Sequence, residues 1–240
     1  MKPKNIFIVR HGESMGNIDK KVYSHTPDYA VLLIDKGKEQ AEEAGKKIKL
    51  VLQDDIEALE HYSSSYDSFI NSARDLLGVY YSSYFRARQT MDIACGQFEK
   101  YHLQFKREDP RLREQEWVGN FSSIKTQEEI DKLNFGIFYY RYNGGESGAD
   151  VYSRISTFWN ELDKDFSSCD YPENITIFGH GYTNRILLMK ILGLTVEEFE
   201  RIKNPKNGEV WILSLNESGK YDLISELESY QVTHKWKYPY

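Results

Sequence analysis

The sequence predicts an α/β fold of three layers, a mostly parallel central sheet flanked by helices. Short apolar runs that read as buried strands alternate along the chain with longer stretches whose apolar residues recur every three or four positions, the pattern of strand and helix units in succession. Three of the predicted strands run directly into polar segments, as happens where an open sheet delivers its carboxyl ends to a ligand. At 240 residues the chain suits one sizeable domain, residues 1–240, without a second.

Taken in order, Asn5 to Val9 is a short apolar strand that leads into the polar, glycine-containing segment Arg10 to Asn17. Lys36 to Gln53 places Ala41, Ala44, Ile48, Val51 and Leu52 at helical spacing, with Asp35 as its expected N-cap. Asp54 to Asp75 carries an irregular, serine- and tyrosine-rich signal and is expected to form a lid, a short helix pair or an insertion. A second buried strand spans Leu76 to Ser82, a helix Phe85 to Phe98, and a weakly alternating strand Leu103 to Arg107. From Asp109 to Asn143 the chain is polar and aromatic by turns. It includes a short helix over Lys125 to Leu133, a turn at Asn143-Gly144-Gly145, and in residues 116–143 a plausible cover for a site. Ser147 to Phe166 is a longer amphipathic helix, and the strand Asn174 to Phe178 ends at Gly179-His180-Gly181. Helices over Tyr182 to Leu192 and Thr195 to Ile202 precede final strands at Val210 to Leu215 and Tyr221 to Ser225.

Composition narrows the function. A formal net charge of -6 argues against general nucleic-acid binding, so an anionic substrate needs a local basic pocket. Cys95 and Cys169 are too far apart for a metal-ligand or redox pair, and two cysteines make no secreted disulfide framework. The apolar run Ile6 to Val9 is too short for a signal-peptide core, and no stretch is long enough to span a bilayer. The expected setting is the cytoplasm, without nucleic-acid or membrane partners. No feature of the sequence encodes an oligomeric state.

Three strand ends deliver Arg10-His11-Gly12, Ser82 with Arg86, and Gly179-His180-Gly181, and they converge if the strands are neighbours. Two guanidinium groups, two imidazoles and the donors of the turn Gly12 to Asn17 form a set suited to a tetrahedral dianion. Arginine stays charged and presents a planar fork that matches phosphate oxygens, where charge develops in phosphoryl transfer. His180 adds a third electropositive clamp. His11 can attack phosphorus through one ring nitrogen if the other donates to a fixed acceptor, and Gly12 is expected to permit a tight turn behind it. A leaving alkoxide needs a proton, for which Arg113-Glu114-Gln115-Glu116 offers two carboxyl groups.

Arg10-His11-Gly12-Glu13-Ser14-Met15-Gly16-Asn17 resembles the R-H-G-E-S-x-x-N signature of the histidine phosphatase (phosphoglycerate-mutase-like) superfamily. Further matches follow in the family's order: Ser82 to Thr90, Leu112 to Gln115, and Gly179 to Gly181. The resemblance implies a phosphohistidine at His11, phosphoryl binding by Arg10, Arg86 and His180, further phosphate contacts at Ser14, Asn17 and Gly181, and Glu114 as proton donor. The segments Phe135 to Gly148, Tyr182 to Phe199 and Asn204 to Glu209 are similar to a plant and fungal subgroup that includes a broad-range acid phosphatase. Two departures stand out. The chain runs one residue longer after Glu114, and Gly16 replaces the tryptophan that mutases carry. The implied activity is metal-independent hydrolysis of a small phosphomonoester with no cofactor. The alternatives are a bisphosphate-primed phosphoglycerate mutase and an interaction module that only binds phosphate.

Other residues take plainer readings. His25, His61, His102 and His234 are expected to be structural, Arg88 to point away from the pocket, and Tyr139, Tyr140 and Tyr142 to pack as a satellite core. Ser147 is expected to cap its helix, Glu146 to act either there or in the pocket, and the charges of Lys36 to Lys49 to form a solvated face.

Overall fold

The computed structural model describes residues 2–60, 77–98, 103–117, 126–168 and 170–229. Strand β1 (Asn5–Arg10) is followed by a one-turn helix α1 (Met15–Ile18) and the long helix α2 (Asp35–Glu60). Next come β2 (Leu77–Tyr81), α3 (Phe85–Cys95), β3 (Leu103–Glu108), α4 (Thr126–Phe135) and α5 (Gly148–Asp165). The chain then forms β4 (Asn174–Gly179), α6 (Gly181–Leu192), α7 (Val196–Arg201), β5 (Val210–Leu215) and β6 (Tyr221–Leu223).

The six strands lie in the order β3-β2-β4-β1-β5-β6. The first four are parallel, while β5 and β6 are antiparallel to their neighbours. Period-two alternation divides the apolar residues between two layers. Ile6, Ile8, Ile175, Ile177, Trp211 and Leu213 face α5, α6 and α7, whereas Phe7, Val9, Leu77, Val79, Phe178 and Val210 face α2 and α3. Helix α5 contributes Val151, Ile155, Phe158, Trp159 and Leu162 to the first layer; α2 and α3 contribute Ala44, Ile48, Met91 and Ala94 to the second. Each large side chain buried in this way adds about 1.5–3 kcal/mol of hydrophobic free energy. The outer edge of the sheet is blunted by the exposed charges Lys106, Arg107 and Glu108 on β3, which discourages pairing with another chain.

The topology decides where the site forms. Strand β4 lies between β1 and β2, with Arg10 opposite Gly179 and Tyr81 opposite Phe178. All three strands point the same way, so their carboxyl ends open side by side. The ladder continues one residue past the strands: His11 N–H donates to Gly179 O at 3.0 Å and Ser82 N–H to Phe178 O at 3.0 Å.

Several expectations are corrected. Asp35 is the first helical residue rather than the cap, and its carboxylate accepts from Lys38 Nζ at 2.8 Å. Residues 54–60 continue α2, because Asp54 to Glu60 contains neither glycine nor proline to stop a helix; 61–76 lie outside the described residues. The last strand ends at Leu223. Tyr142 is buried and stacks on Trp117 at 4.6 Å, and Tyr140 meets its edge, but Tyr139 is exposed and touches only the rim of Phe138. Arg88 and His25 are exposed, whereas His61, His102, His234 and Cys169 fall outside the described residues.

Candidate active site

His11 sits at the end of β1, 4% exposed, with its ring fixed from both sides. Nδ1 lies 2.7 Å from Gly12 O, a carbonyl that can only accept, so Nδ1 carries the proton and Nε2 keeps its lone pair. Arg86 Nε donates to that lone pair at 3.2 Å. Burial first, and then the charges of Arg86 and Arg10, hold the His11 pKa well below the ordinary value of 6.5. The imidazole is therefore neutral, with the Nε2 lone pair turned toward Arg86.

Each basic side chain at the site is anchored by at least one hydrogen bond. Arg86, near the start of α3, donates from Nη1 to both the carbonyl and the carboxylate of Asp28 at 2.7 Å and lies over the Tyr84 ring at 4.9 Å. Arg10 donates from Nη1 to Pro205 O at 2.5 Å, while its Nε is buried without a hydrogen-bond partner among the described residues. His180 is fully buried at the end of β4, and its ring meets that of His11 at 5.2 Å. Its Nε2 lies 2.8 Å from Ser82 Oγ, leaving Nδ1 buried and unpartnered. Burial, then Arg86 and His11, lower the His180 pKa well below 6.5. Buried donors without partners are costly, and a tetrahedral anion between these groups would satisfy them.

The loop after His11 is held by residues distant in sequence. Gly12 N–H donates to Thr90 Oγ1 at 3.0 Å, and Thr90 donates in turn to Arg86 O at 2.7 Å, which ties the loop to α3. The reason for glycine at position 12 differs from the expected tight turn. Gly12 has no positive φ, but a Cβ there would fall 2.0 Å from Gly37 O at the start of α2. Close approach of two backbones is what excludes a side chain. Asn17 Oδ1 accepts from the backbone N–H and the hydroxyl of Ser14, both at 2.9 Å, and from Asn207 Nδ2 at 3.3 Å. Asn207 also donates to His11 O at 3.1 Å. Ser14 thus orients Asn17, whose amide nitrogen remains for the site.

Glu114 lies on the opposite side, against the amino terminus of α6. Its Oε1 accepts from Gln115 N, Thr183 N and Thr183 Oγ1 at 3.0–3.2 Å, and Oε2 accepts only from Tyr182 N at 3.2 Å. The helix end that could have bound an anion directly instead holds this carboxylate, leaving Gly181 as the first residue of the helix, 3.4 Å from Arg10 Cζ if it bore a Cβ. Glu116 is exposed, whereas Glu114 is half-buried against the start of α6.

The supporting residues were not evident from the sequence. Glu146 accepts from Arg113 Nη2 at 2.6 Å, Arg154 Nε at 2.9 Å and Arg154 Nη2 at 3.0 Å, and from Glu116 N at 3.0 Å. Arg154 reaches back to the carbonyls of Arg111 and Glu114. This cluster fixes the segment that bears Glu114. The helix cap is Ser147 alone, in a reciprocal pair with Asp150. Asp28 and Arg154 carry no local motif, and Thr90 and Asn207 fall within the family-like stretches Ser82 to Thr90 and Asn204 to Glu209 without a role of their own; only the pocket reading of Glu146 pointed this way.

Two histidines and two arginines gathered at the carboxyl ends of parallel strands define a class of α/β protein. The chain belongs to the histidine phosphatase superfamily (branch 1), whose profile matches residues 6–78 and 70–224. It is 36% identical over 229 residues to the phosphoglycerate mutase-like protein AT74H of Arabidopsis thaliana, covering 92% of this chain and 77% of the relative. It is 28% identical over 291 residues to the broad-range acid phosphatase DET1 of Saccharomyces cerevisiae, covering 90% and 87%. Among solved structures it resembles a mycobacterial hydrolase (TM-score 0.68, 21% identity, 95% and 99% covered). It also resembles a mycobacterial glucosyl-3-phosphoglycerate phosphatase in complex with VO3 (TM-score 0.66, 21% identity, 94% and 100% covered). These structural likenesses bear on the fold. No helix among the described residues is long and apolar enough to cross a membrane.

Proposed function

We propose that this chain is a metal-independent phosphatase that hydrolyses a small phosphomonoester through a phosphohistidine at His11. The observation that carries the reading is the fixed tautomer of His11: with Nδ1 bound to Gly12 O, a neutral Nε2 faces the Arg10, Arg86 and His180 cluster. In the first step Nε2 attacks phosphorus and the P–O bond to the leaving group breaks. Glu114 donates a proton to the departing oxygen through Oε2, its less occupied atom. In the second step water attacks the phosphohistidine, Glu114 takes the proton, and the P–N bond breaks to release inorganic phosphate. Arg10, Arg86, Asn17, Gly181 and His180 bind the equatorial oxygens, where fixed donors lower the barrier most. For this His180 donates from Nδ1, which requires the Ser82 hydroxyl to donate to Nε2. No cofactor enters the scheme. The phosphatase relative DET1 supports hydrolysis. Residues 1–240 act as one domain.

The test is phosphate release from a panel of phosphomonoesters by wild type and His11→Ala in parallel, with and without chelator. The expected result is release by the wild type only, unchanged by chelator, with loss of at least about 10⁴-fold in the variant. An acid-labile phosphoryl label should appear on the wild type and not on the variant. Isomerisation of phosphoglycerate dependent on a bisphosphate, with little free phosphate, would establish the mutase instead; phosphate binding without turnover would establish a binding module.

A further inference from the structure

The arginines at the site are each committed to a structural partner: Arg10 to Pro205, Arg86 to Asp28 and Arg113 to Glu146. Lys20 is not. It lies just beyond α1, only partly exposed, and forms no ion pair within 4.0 Å among the described residues; its ammonium is 5.8 Å from the centre of the Tyr23 ring. Tyr23 is itself packed on the phosphate loop, since a Cβ at Gly16 would fall 2.1 Å from its phenol oxygen. A glycine between Ser14 and Asn17 therefore makes room for the ring beneath Lys20.

The charge of Lys20 is felt on both sides of the site. Burial, then Arg10 and Arg86, lower its pKa, while Asp28 and Glu114 act in the opposite sense, and Lys20 is among the cations that depress His11. Tyr23 likewise senses Arg86, Asp28 and Glu114. The geometry sets Lys20 beside the phosphate loop, on the ring that packs against Gly16 between Ser14 and Asn17, where a cation can meet the part of a substrate that lies outside the phosphoryl cradle. A cation there without an anionic partner is completed by a negative charge on the substrate.

We propose that Lys20, held over Tyr23 beside the phosphate loop, is a specificity-determining residue that selects phosphomonoesters whose leaving group bears a second negative charge. This rests on the phosphatase reading above. The interaction is partly solvated and adds modestly, about two- to fivefold in kcat/KM.

Phenyl phosphate and 4-carboxyphenyl phosphate form a matched pair of probes. The wild type should favour the carboxylated ester about two- to fivefold. Lys20→Met should abolish that preference while leaving phenyl phosphate within about twofold, and Lys20→Arg should retain it. Raising salt should shrink the preference in the wild type and have no effect on Lys20→Met. Gly16→Ala, which displaces Tyr23, should weaken the preference as well. Equal losses for both esters would mean that Lys20 holds the transferring phosphoryl group, and an unaltered ratio would mean that it faces solvent; either overturns the proposal. Binding of benzylphosphonate and 4-carboxybenzylphosphonate, measured by calorimetry, reads the same preference without turnover. Absence of hydrolysis with a Lys20-dependent binding preference would overturn the phosphatase reading alone, whereas equal binding would overturn the role of Lys20.

Discussion

The two sides of the site are built on different principles. The cradle around His11 is made from strand ends, with Arg10, His11 and His180 aligned by the register of β1 and β4. The opposite side, which carries Glu114, is a segment without regular structure held by a cluster of charges around Glu146. A sheet fixes positions through a continuous ladder that tolerates little change. A side-chain cluster fixes one segment at a time and can be rebuilt without disturbing the core. We infer that the cradle carries the phosphoryl transfer proposed above and the opposite side its proton step.

The largest expected effect falls on the cradle. Arg86→Ala should lower kcat/KM by about 10³–10⁵-fold for every substrate, the range seen when an arginine that neutralises a transferring phosphoryl group is removed. Arg86→Lys should recover little, because a point charge cannot reach Asp28 and His11 Nε2 together as the planar guanidinium does. Full activity in Arg86→Ala would refute its assignment to the cradle.

Glu114→Gln should cost less and depend on the leaving group. With an alkyl ester the loss should reach about 10²–10⁴-fold, the usual contribution of a positioned proton donor. With p-nitrophenyl phosphate, whose leaving group needs no proton, the first step should change little. A loss of the same size for both esters would show that Glu114 holds the fold of the site rather than a proton. Glu146→Gln tests the support beneath it. The change leaves the nine-tenths-buried Arg154 side chain without its anion, so it should destabilise the protein by about 3 kcal/mol and lower kcat more for alkyl than for aryl esters.

The same contrast explains what the sequence made legible. The cradle could be read because each strand ends within a few residues of its functional group, so Arg10-His11-Gly12 and Gly179-His180-Gly181 are contiguous. The layers could be read because alternation along β1 and the spacing in α5 each report one buried face. The Glu146 cluster could not, since Arg113 and Glu146 are separated by 33 residues and Asn207 acts on His11 across 196. Pairings of that kind exist only once the sheet has formed. Gly12 was noticed for the wrong reason, because a collision with Gly37 is invisible to local conformation. Likewise Ser14 and Asn17 could be placed near the phosphate, but the hydrogen bonds that orient one through the other could not.

Acid titration probes the cost of the cradle. His11 and His180 are held neutral, first by burial and then chiefly by neighbouring cations, with folded pKa values well below the 6.5 of the unfolded chain. Below 6.5 the unfolded chain therefore binds protons that the folded chain refuses, and stability falls as pH drops; above 6.5 neither state is protonated and this contribution is flat. The slope approaches about 1.4 kcal/mol per pH unit for each histidine until the folded pKa is reached. Chemical-denaturation midpoints at pH 7.5 and 5.5 should show the decline. Saturating inorganic phosphate should reduce it, because a bound dianion favours the protonated rings and binds only the folded state. His180→Asn should remove about half of the decline, having no ring to protonate. Substitution of Glu114, which lies outside the cradle, should leave the contribution of the two histidines in place. A midpoint that is constant across this range would mean that the two imidazoles exchange protons with solvent in the folded state, and the electrostatic difference between the two sides of the site would disappear with it.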